Sequence, residues 1–320
     1  MIQKVLLASP RGFCAGVARA VRTVEDTLDI FGAPVYIKHE IVHNKTVVKD
    51  LEDRGAITVE NTELIPENAV VVFSAHGSPP EDFEIAKRKS CTVIDATCPL
   101  VSKVHLEILR FLKEGYSVVY IGHKGHPEGI GVTGEARHSF GVDIPIVETE
   151  EDIEQLSLSR DKKIACLTQT TLSITETESL IEKLREKFPD IVLPPGKDIC
   201  YATTNRQAAV RTLAKSSDIV LIIGSKNSSN STRLAETAQS EGVRSFLIDG
   251  KRDIDPQWFE EAKTVGISAG ASAPESKVEE VVEYFRSRGA IVEELSVTRE
   301  SAVFPEPASL ASIKRRKSLL

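Results

Sequence analysis

Five cysteines stand far apart in this 320-residue chain, at positions 14, 91, 98, 166 and 200. The number is odd and no local CxxC pair occurs, so neither a disulfide framework nor a zinc ribbon fits. Three of them follow strand-like segments and stand just before helical patterns: Leu7-Ala-Ser-Pro-Arg-Gly-Phe-Cys14, Ile94-Asp-Ala-Thr-Cys98 and Lys197-Asp-Ile-Cys200. At such a place the free N–H groups and dipole of the helix favour a thiolate. Three thiolates with no fourth in register predict a metal with one open coordination position. Zinc and an iron–sulfur cluster are the two candidates. Cys91 and Cys166 fall within β-branched runs and read as packing residues.

Other chemistry-bearing residues occupy comparable positions. His43, His76 and His126, three of only seven histidines, follow strand-like runs and could ligate a metal or donate to an anion. Ser228, Ser229, Asn230 and Ser272 lie at expected helix starts, where backbone N–H groups and hydroxyls bind phosphate or diphosphate. Glu128, two residues beyond His126, becomes a proton donor if burial raises its pKa. Thr170 lies at another strand end. Gly129-Ile-Gly-Val-Thr-Gly134 matches GxGxxG, but seven residues, 122–128, separate it from the preceding strand, so a dinucleotide loop is not expected there.

These positions require an alternating scaffold. Residues 4–8, 34–37, 70–73, 92–95, 117–121, 163–167, 219–223, 245–248 and 264–267 read as buried strands. Between them run helical patterns, such as Val17, Val21, Val24, Leu28 and Phe31 ending at Gly32, or Leu100, Val104, Ile108 and Leu112 ending at Gly115. The fold class is therefore α/β with mostly parallel sheets. An internal repeat sharpens this. Ser74-Ala-His-Gly-Ser-Pro-Pro-Glu81, Ser268-Ala-Gly-Ala-Ser-Ala-Pro-Glu275 and Thr168-Gln-Thr-Thr-Leu-Ser-Ile-Thr-Glu176 resemble one another. Ser78 with Glu81, Ser272 with Glu275 and Ser173 with Glu176 are read as capping boxes. The cysteine and histidine segments form two further triples. The expectation is three pseudo-threefold-related α/β units in a trefoil-like arrangement: residues 15–98, 99–196, and 197–285 together with 1–14. Residues 286–320 are an extension, and the basic segment 305–320 an unstructured, solvated tail.

A net charge of −7 argues against a general nucleic-acid binder. No apolar run approaches a membrane span, and the N-terminal apolar stretch is too short for a signal peptide, so a cytoplasmic location is expected.

The motifs together resemble the 4-hydroxy-3-methylbut-2-enyl diphosphate reductase family (LytB/IspH), from about Lys4 to about Tyr284. They are Pro10-Arg-Gly-Phe-Cys-Ala-Gly-Val17, His39-Glu-Ile-Val-His-Asn44, Phe73-Ser-Ala-His-Gly77, Asp95-Ala-Thr-Cys-Pro-Leu-Val101, Gly125-His-Pro-Glu128, Thr168-Gln-Thr-Thr171, Asp198-Ile-Cys-Tyr-Ala-Thr-Thr-Asn-Arg-Gln207, Gly224-Ser-Lys-Asn-Ser-Ser-Asn230 and Ala269-Gly-Ala-Ser-Ala-Pro274. The segment after Glu128 is more glycine-rich than in the family. The resemblance implies a trefoil-like fold around a central [4Fe–4S] cluster ligated by Cys14, Cys98 and Cys200, with one open iron. It implies reductive dehydroxylation of an allylic diphosphate to isopentenyl and dimethylallyl diphosphate, the last step of the methylerythritol phosphate route to isoprenoids. Glu128, with Thr170, would deliver protons. His43, His76, His126, Ser228, Ser229, Asn230 and Ser272 would hold the diphosphate. Flavodoxin or ferredoxin would supply electrons to a monomer or homodimer. The competing readings are a non-catalytic phosphate-binding or sensor protein with a structural metal, and a zinc hydrolase.

Overall fold

Mostly β-branched runs, the central ones buried on both faces, alternate with helices and produce three parallel sheets in a computed structural model that describes residues 2–158, 162–194 and 198–317. The chain divides into two compact units. The first comprises Met1–Val17, His43–Val47 and Tyr201–Val303. It holds a five-stranded sheet in the order Arg244–Ile248, Ile219–Ile223, Thr264–Ala269, Lys4–Ser9, Ile291–Ser296. Alternate residues serve opposite faces. Val5, Leu221 and Ile267 pack with Val278, Val281 and Phe285 of the helix Glu275–Arg286. Leu6, Val220 and Ile222 pack with Val210 and Leu213 of the helix Tyr201–Ala214.

The second unit comprises Ala18–Val42, Val48–Cys200 and Phe304–Leu320. It holds a four-stranded sheet, Ala56–Val59, Val35–Lys38, Val70–Phe73, Thr92–Asp95, and a three-stranded one, Ile146–Val147, Ser117–Ile121, Ile164–Thr168. In the three-stranded sheet Val118 and Tyr120 pack on Val104, Ile108 and Phe111 of the helix Pro99–Lys113. The expected strands are all present, with ends shifted by at most two residues. The boundary expected at 196/197 lies outside the described residues. No helix among the described residues is long and apolar enough to cross a membrane.

Three local expectations are corrected. Ser78 and Ser272 are not helix caps: Pro79 and Pro274 hold those positions, with no side-chain cap bond. Each proline is extended, which starts the helix one residue beyond it, and the Ser272 hydroxyl instead donates to the His43 carbonyl at 2.9 Å. Ser173 does cap, accepting from the Glu176 amide. Gly129–Gly134, the segment that matches GxGxxG, lies inside the helix Pro127–Phe140. Its glycines make room for neighbours, since a Cβ on Gly134 would sit 2.4 Å from Pro79 Cβ and one on Gly131 3.0 Å from the His105 ring. Second, Ile291–Ser296, placed in an extension, is a strand paired with Lys4–Ser9 over six residues. Its mostly exposed face leaves no hydrophobic alternation to detect. Third, the tail contains a helix, Ala308–Lys317. Leu310 is fully buried, and Lys314 bonds Asp26 at 2.8 Å and Glu306 at 2.6 Å. The helix packs against Thr92–Asp95, and its basic last turn suits the C-terminal dipole.

Gly134→Val should force the Pro127–Phe140 helix off Pro79 and cost about 1–3 kcal/mol of stability, read as a lowered thermal midpoint by circular dichroism.

Candidate active site

Glu128 is the second residue of the helix Pro127–Phe140 and is 2% exposed. Buried carboxyls need donors, and one residue supplies both. The Thr170 amide donates to Oε1 at 2.8 Å and its hydroxyl to Oε2 at 3.0 Å. Burial pushes the Glu128 pKa up to about 7, the Thr170 bonds work against this, and the charge of Asp198 adds to it. The group therefore holds a proton near neutral pH and can give it up there. Tyr120 lies in the same apolar setting, its phenol raised well above its usual range by burial and by Glu128.

The strand end Ile164–Thr168 sets Thr170 and Cys200 together: the Cys200 amide donates to the Thr170 carbonyl at 3.0 Å. Asp198 accepts from the Thr168 amide at 3.0 Å. Burial, then the neighbouring Glu107, raises its pKa, opposed by the Thr168 amide and Lys103. Gln169, fully buried, accepts from the His123 amide at 2.9 Å. His126 caps Glu128's helix, its Nδ1 accepting from the Glu128 amide at 3.2 Å, so the proton of neutral His126 resides on Nε2. His76 stands edge-on to His126, centroids 6.0 Å apart, and to His39 at 5.7 Å. The Cys98 amide donates to the Ala75 carbonyl at 3.0 Å, tying that cysteine to the His76 loop. Thus Glu128, Thr170, Cys200, His126, His76 and Cys98 are linked within one unit.

The other unit assembles the remaining residues. The Cys14 amide donates to the Ala271 carbonyl at 3.2 Å, and the Val17 amide points at Cys14 Sγ from 3.4 Å. Fully buried Arg206 grips the Gly12 carbonyl through Nε and Nη2 and pairs with Glu300. Ser228 caps the helix Ser229–Ser240, and its hydroxyl receives the Ser231 hydroxyl at 3.0 Å and that of Ser272 at 3.5 Å. Asn230 accepts from the Ala271 amide at 2.8 Å. His43 is buried, its carbonyl bound by Ser272. Ser229 is the first helical residue and half-buried. Hydroxyls and amides at a helix N-terminus form an anion-binding surface.

None of the five cysteines forms a disulfide. Cys14, Cys98 and Cys200 are partly exposed, and each stands beside a helix start. Cys166 is fully buried, with its thiol pushed up by burial, and Cys91 points at the Pro66 carbonyl. Cys91 is partly exposed too, but it stands before a strand, whereas the first three stand where a helix start favours a thiolate. Tyr120, Asp198, Gln169 and His39 had no assigned role in the sequence reading. Asp198 was visible there, two residues before Cys200; nothing distinguished Tyr120 from core.

A buried acid that titrates near neutral pH, at the start of a helix and bonded to a residue just beyond a parallel strand, is the equipment of an α/β enzyme. Residues 5–286 match the LytB protein family. The 4-hydroxy-3-methylbut-2-enyl diphosphate reductase of Actinobacillus pleuropneumoniae serotype 7 is 52% identical over 307 residues, which cover 96% of this chain and 98% of that protein. Its counterpart in Haemophilus ducreyi is 50% identical with the same coverage. A solved structure, the E-1-hydroxy-2-methyl-but-2-enyl-4-diphosphate reductase from Plasmodium falciparum, matches with a TM-score of 0.95 at 36% identity, over 99% of this chain and 100% of that one. The chain belongs to the LytB family and is an oxidoreductase.

The folded chain holds the Glu128 proton more tightly than the unfolded chain does. The group's contribution to stability is therefore full below its ordinary value of 4.5 and is lost as pH rises through about 7. A carboxyl band in difference infrared spectra should titrate near pH 7, and Thr170→Val, which removes a donor to the ionised form, should move it higher; an unmoved or lower midpoint would refute this account.

Proposed function

We propose that the chain catalyses the two-electron reductive dehydroxylation of 4-hydroxy-3-methylbut-2-enyl diphosphate, giving isopentenyl and dimethylallyl diphosphate and water, as the last step of the methylerythritol phosphate route in the cytoplasm. The observation that supports this most is the buried Glu128–Thr170 pair. A protein that only bound phosphate would have no use for a carboxyl poised at about pH 7. The names of the relatives point to the same substrate.

Cys14, Cys98 and Cys200 would hold a [4Fe–4S] cluster, which would supply the two electrons and, at the iron without a cysteine, a Lewis acid for the leaving hydroxyl. The chain's residues do the rest. Glu128 gives a proton to the departing hydroxyl so that it leaves as water, and Thr170, donating to the resulting carboxylate, stabilises the ionised product of that transfer. A second proton completes the new C–H bond, so the reaction takes up two protons and two electrons. Ser228, Ser229, Asn230 and Ser272 offer hydroxyl, amide and helix-terminal donors to the diphosphate. His43, His76 and His126 add imidazole N–H groups and exclude water. A flavodoxin or ferredoxin would deliver the electrons one at a time. The three sheets would correspond to three related α/β units, 15–98, 99–196 and 197–285 with 1–14, arranged as a trefoil about the cluster.

Protein prepared without oxygen should be brown. Cys14→Ser, Cys98→Ser and Cys200→Ser should each lose the colour and the iron, whereas Cys91→Ser and Cys166→Ser should keep both. A colourless protein carrying stoichiometric zinc would sink the reading. Glu128→Gln should reduce turnover by about 10²–10⁴-fold while retaining iron and diphosphate binding; retained turnover would remove Glu128 from the proton path.

A further inference from the structure

The helix Pro99–Lys113 begins at Cys98, its N-cap, and carries on its outer side Lys103, Leu106, Arg110 and Lys113. Steps of three, four and three residues place these four on one ridge. Leu106 is 67% exposed, unusual for a leucine in mid-helix beside a packed sheet. The carboxylates nearest the ridge are Glu107, buried and 3.6 Å from Lys103, and Asp198, 3.4 Å from the same lysine; Arg110 and Lys113 lie further along the helix, and Glu114 beyond its last turn. At the Cys98 end the ridge borders an open groove of about 450 Å³, lined by Arg19, Lys103, Leu106 and Arg110 together with the acids Asp95 and Glu107. Arg19 is fixed there by the carbonyls of Ala96, Thr97 and Pro305. Asp95 is engaged by the Thr97 amide and hydroxyl.

We propose that this ridge is the docking surface for a small acidic electron-carrier protein. The inference rests on the redox reading above and adds the place where electrons enter. An apolar centre ringed by cations matches the anatomy of a transient interface. On a chain of net charge −7, a local cationic ridge selects an acidic partner by charge complementarity and steers its approach. Leu106 lies eight residues from Cys98, about 12 Å along the helix axis. A redox centre seated over Leu106 is therefore within a short through-protein path of the cysteine, and a contact of this limited size suits a carrier that must leave after each electron.

The test uses a flavodoxin as the acidic probe and the double variant Arg110→Glu/Lys113→Glu, with Leu106→Asp as a second variant. All three positions are on the surface, so folding should be retained. Fluorescently labelled flavodoxin should bind the unaltered protein, more weakly as salt rises from about 0.05 M to about 0.5 M. Each variant should weaken this binding by about tenfold or more at low salt. In turnover, KM for flavodoxin should rise by a similar factor, while the rate with reduced methyl viologen, a small reductant that needs no docking surface, stays within about twofold. Equal flavodoxin binding by the variants and the unaltered protein, or none by the latter at low salt, would overturn the proposal. If no reductant supports turnover yet the variants still weaken binding, the reaction assignment fails and the docking surface stands.

Discussion

A carboxyl removed from water must shed its charge or be surrounded by donors, and Glu128 is held between these outcomes. With less burial it would be an ordinary surface glutamate, ionised at neutral pH. With more donors its proton would be lost before it could be used. Thr170 provides two donors that oppose burial, which leaves both the acid and the carboxylate accessible near neutral pH. Much of the surrounding architecture serves that balance. Gly122 has no side chain because a Cβ there would sit 2.5 Å from the Tyr120 ring and 3.1 Å from Gln169. Gln169 in turn fixes the His123 amide ahead of the Glu128 helix.

The serine-rich surface obeys a different constraint, that buried hydroxyls must bond one another or the backbone. Ser228, Ser231 and Ser272 form a linked set, anchored by the His43 carbonyl. Gly224 and Gly270 exist to admit Ser231, whose hydroxyl lies within 2.2 Å and 2.0 Å of where their Cβ atoms would be. This preorganises the start of the Ser229–Ser240 helix before any anion arrives, which lowers the ordering cost of binding.

The elements most legible in sequence were those whose signal is local. Buried strands such as 219–223 carry unbroken β-branched runs, and the cysteines stand out because free thiols at strand ends are rare. The elements that escaped depend on distant partners. Ile-Val-Glu-Glu-Leu-Ser becomes a strand because Lys4–Ser9 offers it an open edge. The 308–317 segment becomes a helix because Leu310 finds a buried site and Lys314 finds Asp26. The GxGxxG match could be set aside from its distance to a strand, but only Pro79 and His105 show that Gly134 and Gly131 are packing clearances.

The sequence by itself determined the parallel α/β class and the family, because residue type and spacing along a strand or helix are enough to define these. Only the tertiary structure decided that Glu128 is buried against Thr170, with Asp198 as a charged neighbour. Those three residues lie 42 and 28 positions apart, and neither burial nor electrostatic coupling over such separations has any trace in local pattern. A pKa depends on the medium around a group, and the medium is assembled only when the chain folds.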